Sequence, residues 1–463
     1  MSLPDVESPA EFFPPVPLPR ADSMGLFALL RTLKDNPLEA WTRSHFEELV
    51  VTRRLVFAEV HVVSDPSAVR RVLLDNADNY RKDSLQRRML SAALGSGILT
   101  AEADEWRHQR RTLAPLFTPR AVRGFVPAMA CAANRLVERW RRNRMGVLDV
   151  AAEVTDLTLE VLESTIFSDG FGCDRDQVHA AMKIYFDTIG RIDPFDLLGV
   201  PSFIPRISRL RQHSTLRFFD DSIDAIIRSR RSRRADTPGD GPTDILSLLL
   251  TARDPETGQG MSDALVRANV LTFIAAGHET TANAITWSLF LLTQSPQWRE
   301  RVAAEAQREI GREVEGVTER LLDTRAVVEE AMRLYPPSVA ISRAARAPDD
   351  LAGTSVRRGG VVVIAPYVLH RHCLLWERPN MFDPNRFLGD ARQRIGRYIY
   401  LPFGTGPRSC IGSTFALQQA TLVVATIVRN FELELPFGVV VRPVHKVTLR
   451  PAGGMPMAIK CRS

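Results

Sequence analysis

Apolar and polar positions alternate along most of this chain with a helical period. From about Glu105 to Arg308 the pattern is that of helices with one buried face. Turn signals interrupt it at Asp169-Gly170, Gly199 to Pro205 and Thr237 to Pro242. Leu49 to Val63 instead holds two β-rich runs, from Val50 and from Val56, which predict a small hairpin. Asp65-Pro66 then opens a helix through Asn76. β-rich stretches return at Val339 to Ala344 and Val361 to Ile364, a loop-like segment runs from Arg378 to Arg397, and the tail from Phe431 reads as short strands. Many helices with small sheets predict a mostly α, α+β domain. No Pro/Gly/Ser-rich linker divides the 463 residues. The expected organisation is a Pro-rich segment and first helix over 1–45, then a single domain over 46–463. Met24 to Trp41 is amphipathic, as a packed surface helix would be; light membrane contact stays open.

Two segments depart from simple core patterning. Ser262 to about Gln294 reads as one long helix, with Ser262 as N-cap and Pro296 past its end. Its apolar centre, Leu271 to Ala276, runs into Gly277-His278-Glu279-Thr280-Thr281. A buried acid and hydroxyls there are costly without a partner or a purpose. Gly277 also permits a kink or a widened turn. His278-Glu279 does not begin a zinc-protease motif, because the second His would fall at Ala282. A satisfied polar cluster and a proton relay both remain open.

The second segment is Phe403-Gly404-Thr405-Gly406-Pro407-Arg408-Ser409-Cys410-Ile411-Gly412. A lone Cys is usually an inert buried hydrophobe. Here three glycines let the backbone turn sharply and approach a flat ligand. The apolar run from Ile411 to about Val428 predicts a helix whose N-terminus would stabilise a Cys410 thiolate. Arg408 can pair with a carboxylate. The run is not a dinucleotide fingerprint, since Ser409 stands at the third glycine position and no βαβ unit surrounds it. Iron held by a Cys thiolate fits best.

Composition narrows the class. Hydrophobic content of 45% and charged content of 25% describe a globular protein and exclude a disordered chain. Five scattered Cys suggest no disulfide framework and favour a reducing, cytoplasmic setting. The start of the chain lacks signal-peptide character, and no run is long enough for a transmembrane anchor. The net charge of +6 raises nucleic acid as a partner. Arg228 to Arg234, the densest basic run, ends an amphipathic helix with no nucleic-acid motif beside it, so it is read as a solvated helix end. His370-Arg371-His372-Cys373 is too tightly spaced for a usual metal site and is read as structural.

The decapeptide around Cys410 resembles the haem-binding loop of cytochromes P450, Phe-x-x-Gly-x-Arg-x-Cys-x-Gly, at every fixed position. Ala276 to Thr281 resembles that family's distal-helix motif. Glu330-x-x-Arg333 before Pro336-Pro337, with Arg386, resembles its buried ion triad. Trp106-x-x-x-Arg110 and Arg343 match positions that meet haem propionates, although a core Trp and solvated Arg would look the same. The resemblance implies the P450 fold around haem b, with Cys410 as iron ligand. Arg408, Trp106, Arg110, Arg343 and Phe403 would lie at the cofactor, and Glu279 and Thr280 would deliver protons. Gln419 departs from the Glu that many members carry.

The implied function is a monooxygenase that inserts one atom of dioxygen into a small lipophilic substrate, by hydroxylation or epoxidation. No reductase domain follows Ser463, so electrons would come from ferredoxin and ferredoxin reductase or similar donors. Arg107, Arg111, Arg392 and Arg394 are candidates for that docking face. Pocket walls would come from Arg87 to Leu99, Ile184 to Phe195, Phe273, Ala276 and Val339 to Ile341. Terpenoid, steroid, fatty acid and aromatic substrates fit these walls equally. The rival readings are a peroxide-driven or isomerising haem-thiolate enzyme, whose branches often lose the acid–alcohol pair kept here, and a non-catalytic haem-binding module.

Overall fold

The computed structural model describes residues 11–54, 59–82, 94–142, 146–168, 213–236, 244–312 and 316–462. Eight helices position the site: α1 (Leu26–Asp35), α2 (Ala103–Leu113), α3 (Val126–Arg142), α4 (Val150–Ile166), α5 (Asp263–Thr293), α6 (Pro296–Glu309), α7 (Leu322–Leu334) and α8 (Ser413–Asn430). Among the described residues twelve strands accompany them: β1 (Val50–Arg54), β2 (Glu59–Val63), β3 (Tyr80–Arg81), β4 (Val147–Asp149), β5 (Ile341–Ala345), β6 (Asp349–Leu351), β7 (Thr354–Val356), β8 (Val361–Ile364), β9 (Phe431–Glu434), β10 (Pro443–His445), β11 (Leu449–Pro451) and β12 (Pro456–Cys461).

α5 is the axis. Ser262 caps it by accepting from the Leu265 N–H at 3.3 Å, and the helix runs unbroken through Gly277. Gly277 has a packing reason. A Cβ at Gly277 would meet the methyls of Leu162 at 3.2 and 3.3 Å, so the missing side chain lets α4 lie close against α5. α5 is apolar nearly all round, as a central helix should be. Trp287 stacks on Tyr335 with ring centroids 3.9 Å apart.

The largest sheet has the order β1-β2-β8-β5-β3. β1 and β2 form the expected hairpin, with Val50 opposite Val63. β2 and β8 pair in parallel, and β8 and β5 antiparallel with Ile341 opposite Ile364. β6 pairs with β7 and β10 with β11. β12 is the middle strand of a third sheet, between β4 and β9. The helix after Asp65 begins at Pro66, capped by Asp65 through the N–H groups of Ser67 and Ala68. It ends in a widened turn over Arg71–Asp75, closed by the Asn76 N–H on Arg71 O at 2.8 Å.

The predicted turns at 169–170, 199–205 and 237–242 lie outside the described residues. The predicted helix at Ile411 begins instead at Ser413, with Gly412 as its cap. Sequence periodicity ran past that cap because Ile411 is apolar for a different reason: it packs against the core from the loop.

Candidate active site

The loop before α8 is built by its glycines. Gly404 and Gly406 take φ of 67° and 74°, a left-handed conformation that side chains resist. A Cβ on Gly406 would sit 1.9 Å from the Leu73 carbonyl oxygen, so the loop rests directly on the widened turn at Arg71–Asp75. The Cys410 N–H donates to Phe403 O at 2.8 Å and closes the loop. Cys410 keeps accessible surface although protein surrounds it deeply enough for desolvation to raise its thiol pKa. The two facts agree if the thiol faces an interior space. The Gly412 N–H and the Arg110 charge oppose that rise and favour a thiolate.

Cations gather beside this loop. Arg110 Nη1 donates to Ser409 O at 2.9 Å. Its helix is held against α5 by Asn269 Nδ2, which donates to Gln109 Oε1 at 3.0 Å. Arg408 lies over the Trp106 ring at 4.3 Å and donates to Ala101 O and Glu102 Oε2, each at 3.0 Å. Arg343 is nearly buried on β5. Lys82, absent from the sequence reading, donates to Leu99 O. Burial first, then the charges of Arg408 and Arg343, push its ammonium down to about 7, with Glu102 opposing. Tyr80 and Arg81 pair with Ala345 and Ala344, so the register carries Lys82 towards Arg343. Only knowledge of the β3–β5 pairing could have found it.

Cations crowded together with little acid among them form an anion site. An accessible but enclosed thiol, a glycine loop without side-chain bulk and this basic cluster fit a planar, doubly carboxylated metal chelate such as haem.

On α5, Ala276 is exposed although the four residues Leu271 to Ile274 are buried, so this stretch also borders open space. Thr280 Oγ1 donates to Ala276 O at 2.7 Å. Glu279 turns elsewhere: its Oε1 accepts from Thr448 Oγ1 at 2.8 Å and lies 3.6 Å from Arg450 Nη1. Asn283 Nδ2 donates to Thr448 Oγ1 at 2.9 Å, and Trp287 Nε1 to Leu449 O at 3.1 Å. Residues 279, 283 and 287 form one stripe of α5, and the stripe grips the β10–β11 hairpin. His278 is buried, and desolvation holds its imidazole down at about 4. Of the expected pocket walls, Phe273 and Val339 are buried. Leu94–Leu99 lies against α5, with the Ile98 N–H on Asn269 Oδ1 at 2.9 Å. Residues 87–93 and 184–195 lie outside the described residues.

The ion triad forms, unequally. Arg333 and Glu330 are fully buried and meet twice, at 2.6 and 2.8 Å. Arg333 also donates to the carbonyls of His370, Pro379 and Met381. Arg386 stands 3.8 Å from Glu330. His370 Nε2 accepts from the Leu401 N–H at 2.8 Å and Arg371 lies over Tyr367, so the His-Arg-His-Cys run packs and braces the start of the Cys loop. Gln419 is buried on α8.

Two charge readings change. Arg230 is not a solvated helix end; it is buried and paired with Asp244 at 2.8 Å. Three of the four candidate docking arginines already hold acids of their own chain: Arg107 with Asp104 and Asp78, Arg111 with Asp254 and Glu256, Arg392 with Glu329. Arg394 is exposed.

Comparison with known proteins agrees with this geometry. The family model described as Cytochrome P450 matches residues 14–456. The chain belongs to the cytochrome P450 family. It is 32% identical over 405 residues to cyclooctatin synthase of Streptomyces melanosporofaciens, covering 86% of each chain. It is 30% identical over 363 residues to pentalenene oxygenase of Streptomyces avermitilis, covering 77% of this chain and 78% of that one. The crystal structure of the cytochrome P450DA heme domain superposes with a TM-score of 0.83 at 25% identity, over 97% of this chain and 98% of that one. The protein is therefore a P450 monooxygenase with the P450 fold and a haem cofactor, which draws on dioxygen, a lipophilic substrate and redox partners. Among the described residues no helix is long and apolar enough to cross a membrane.

Proposed function

We propose that this P450 holds haem b through Cys410 and oxidises a terpenoid-like, polycyclic apolar substrate with electrons from a ferredoxin. The observation that carries the reading is Cys410 itself, accessible yet enclosed, at the end of a glycine loop and beside Arg110. Arg110, Arg343, Arg408, Lys82 and the Trp106 N–H would meet the two haem carboxylates, and Phe403 would pack against the macrocycle. Bound haem supplies the activation of dioxygen. The chain's residues do the rest. The Gly412 N–H and Arg110 temper the thiolate. Apolar Phe273 and Val339 exclude water and orient the substrate. Glu279, reached from solvent past half-exposed Arg450, takes up protons and hands them inward, through water, to the Thr280 hydroxyl.

The substrate class is supported by the relatives named cyclooctatin synthase, cyclooctat-9-en-7-ol 5-monooxygenase and pentalenene oxygenase. Unpaired Cys131, Cys373, Cys410 and Cys461 support a reducing, cytoplasmic setting. The test is optical. The carbon monoxide complex of the reduced protein should carry the thiolate signature, and Cys410→Ser should lose it. Titration with polycyclic terpenoids should shift the haem to high spin. A thiolate signature with no spin shift from any terpenoid, but one from fatty acids, would overturn the substrate class.

A further inference from the structure

We infer that the face formed by α1 and residues 436–447 docks on the surface of an anionic lipid bilayer. The two segments are one unit. Lys446 Nζ donates to the carbonyls of Lys34 and Asp35, at 3.4 and 3.1 Å, at the end of α1. Asn36 Nδ2 donates to Pro443 O at 3.2 Å, and its Oδ1 accepts from the His445 N–H at 3.1 Å. Arg442 pairs with Glu39 at 2.6 Å, and Arg20 donates to Glu39 O at 3.0 Å.

This unit is where the protein shows its apolar side chains. Nine large hydrophobic residues are exposed among the described residues, and five of them are Leu18, Phe27, Phe437, Val440 and Val447. α1 is amphipathic, yet none of its described side chains is fully buried. Its open face carries Phe27, 90% exposed, together with Arg31 and Lys34. The spacing of four and three residues sets them on one side. The turn at Gly438, with φ of 83° and the Val439 N–H on Pro436 O, holds Phe437 fully in the open.

Charge selects the occupant. Across residues 18–39 and 436–447 there are five basic side chains, Arg20, Arg31, Lys34, Arg442 and Lys446, against three acids, Asp22, Asp35 and Glu39; with Arg442 on Glu39 and Arg31 3.8 Å from Asp35, the face keeps a surplus of two positive charges. Projecting aromatic rings rimmed by Lys and Arg suit a headgroup layer: the rings enter the acyl boundary and the cations stay at the phosphates. A second copy of the same basic face would be repelled.

Sedimentation of the haem-loaded full chain with vesicles tests this. The protein should pellet with phosphatidylcholine–phosphatidylglycerol vesicles, pellet little with phosphatidylcholine alone, and be released by salt. Phe27→Ser with Phe437→Ser should lower partitioning by about tenfold per ring. Arg31→Gln with Lys34→Gln should lower it by roughly fivefold per residue. Unchanged melting temperature and haem spectrum show that these surface variants fold. Equal binding to both vesicle types, or wild-type binding by the double Phe variant, would overturn the inference. So would a dimer seen in sedimentation velocity that binds no vesicles and that the Phe variant dissociates, because a second copy would then cover the face.

Discussion

Thr448 donates its hydroxyl proton to the Glu279 carboxylate at 2.8 Å and accepts one from Asn283 at 2.9 Å. A threonine on the turn between β10 and β11 thus fixes the direction in which the acid of α5 points. With Trp287 bonded to Leu449 O, the hairpin cannot shift along α5 without breaking contacts over two helical turns.

Thr448→Val keeps the shape and removes the donor. A hydrogen bond to a charged group contributes about 1.5–3 kcal/mol, so the share of consumed NAD(P)H electrons that reach product should fall by about tenfold. Haem content and substrate-induced spin shift should stay as in wild type. Coupling equal to wild type would show that the Thr448 contact does not serve the acid.

Arg333→Ala leaves Glu330 buried without its main partner. Breaking a buried ion pair costs about 3–5 kcal/mol, and the carbonyls of His370, Pro379 and Met381 lose their donor as well. Purified variant should carry little haem. Full haem occupancy with an unchanged melting temperature contradicts the bracing role.

Gly406→Ala meets two obstacles: the left-handed φ, and the Leu73 carbonyl at 1.9 Å from the new methyl. Because the obstacle is backbone, the Cys loop must move off the turn at Arg71–Asp75. The carbon monoxide spectrum should lose its thiolate band, while Gly412→Ala, with open space around it, should retain it.

Lys82→Met removes a cation that burial and its positive neighbours already hold at about 7. If haem carboxylates neutralise that cluster, the variant should release haem to apomyoglobin about tenfold faster, the worth of one charge-assisted hydrogen bond. Equal release rates would place Lys82 outside the cofactor contact.

Four histidines whose imidazoles are held far below the ordinary range, buried His45, His278 and His370 and part-buried His445, set the acid limit. Burial, the largest cause at each, holds His45, His278 and His445 near 4 and His370 near 3, against an ordinary 6.5. Between these values the unfolded chain binds more protons than the folded one. Stability is therefore complete above about pH 6.5 and is lost progressively as pH falls from there to about 4, and for His370 on to about 3. At about 1.4 kcal/mol per pK unit the loss is at most a few kcal/mol for each ring, and melting temperature should drop steeply across that range. A flat profile would show that these rings stay neutral for no structural reason.

The parts legible in sequence were those whose chemistry is local. The glycines and Cys410 share one decapeptide, Glu330 and Arg333 share one helix turn, and the length of α5 follows from its cap and its apolar run. What was hidden depends on distant pairing. Lys82 reaches the cation cluster through β3 and β5, and Thr448 is 169 positions from Glu279. Arg111 looks free in sequence because its acid, Asp254, lies 143 residues away. Ile411 is apolar for loop packing, not for helix packing, so periodicity alone places the start of the helix after Cys410 two residues early.

β12 has a consequence for how the molecule is made. As the middle strand between β4 and β9, it anchors the entry to α4, where the Val150 N–H bonds Met455 O, and α4 is the helix packed on α5. β2, likewise, finds β8 only some 300 residues later in synthesis. An emerging chain can therefore form helices early but cannot complete either sheet until its last strands have left the ribosome. Haem capture, which needs the Cys410 loop packed against these sheets, should therefore come late in folding, and nascent chains of this protein should depend on chaperones until then.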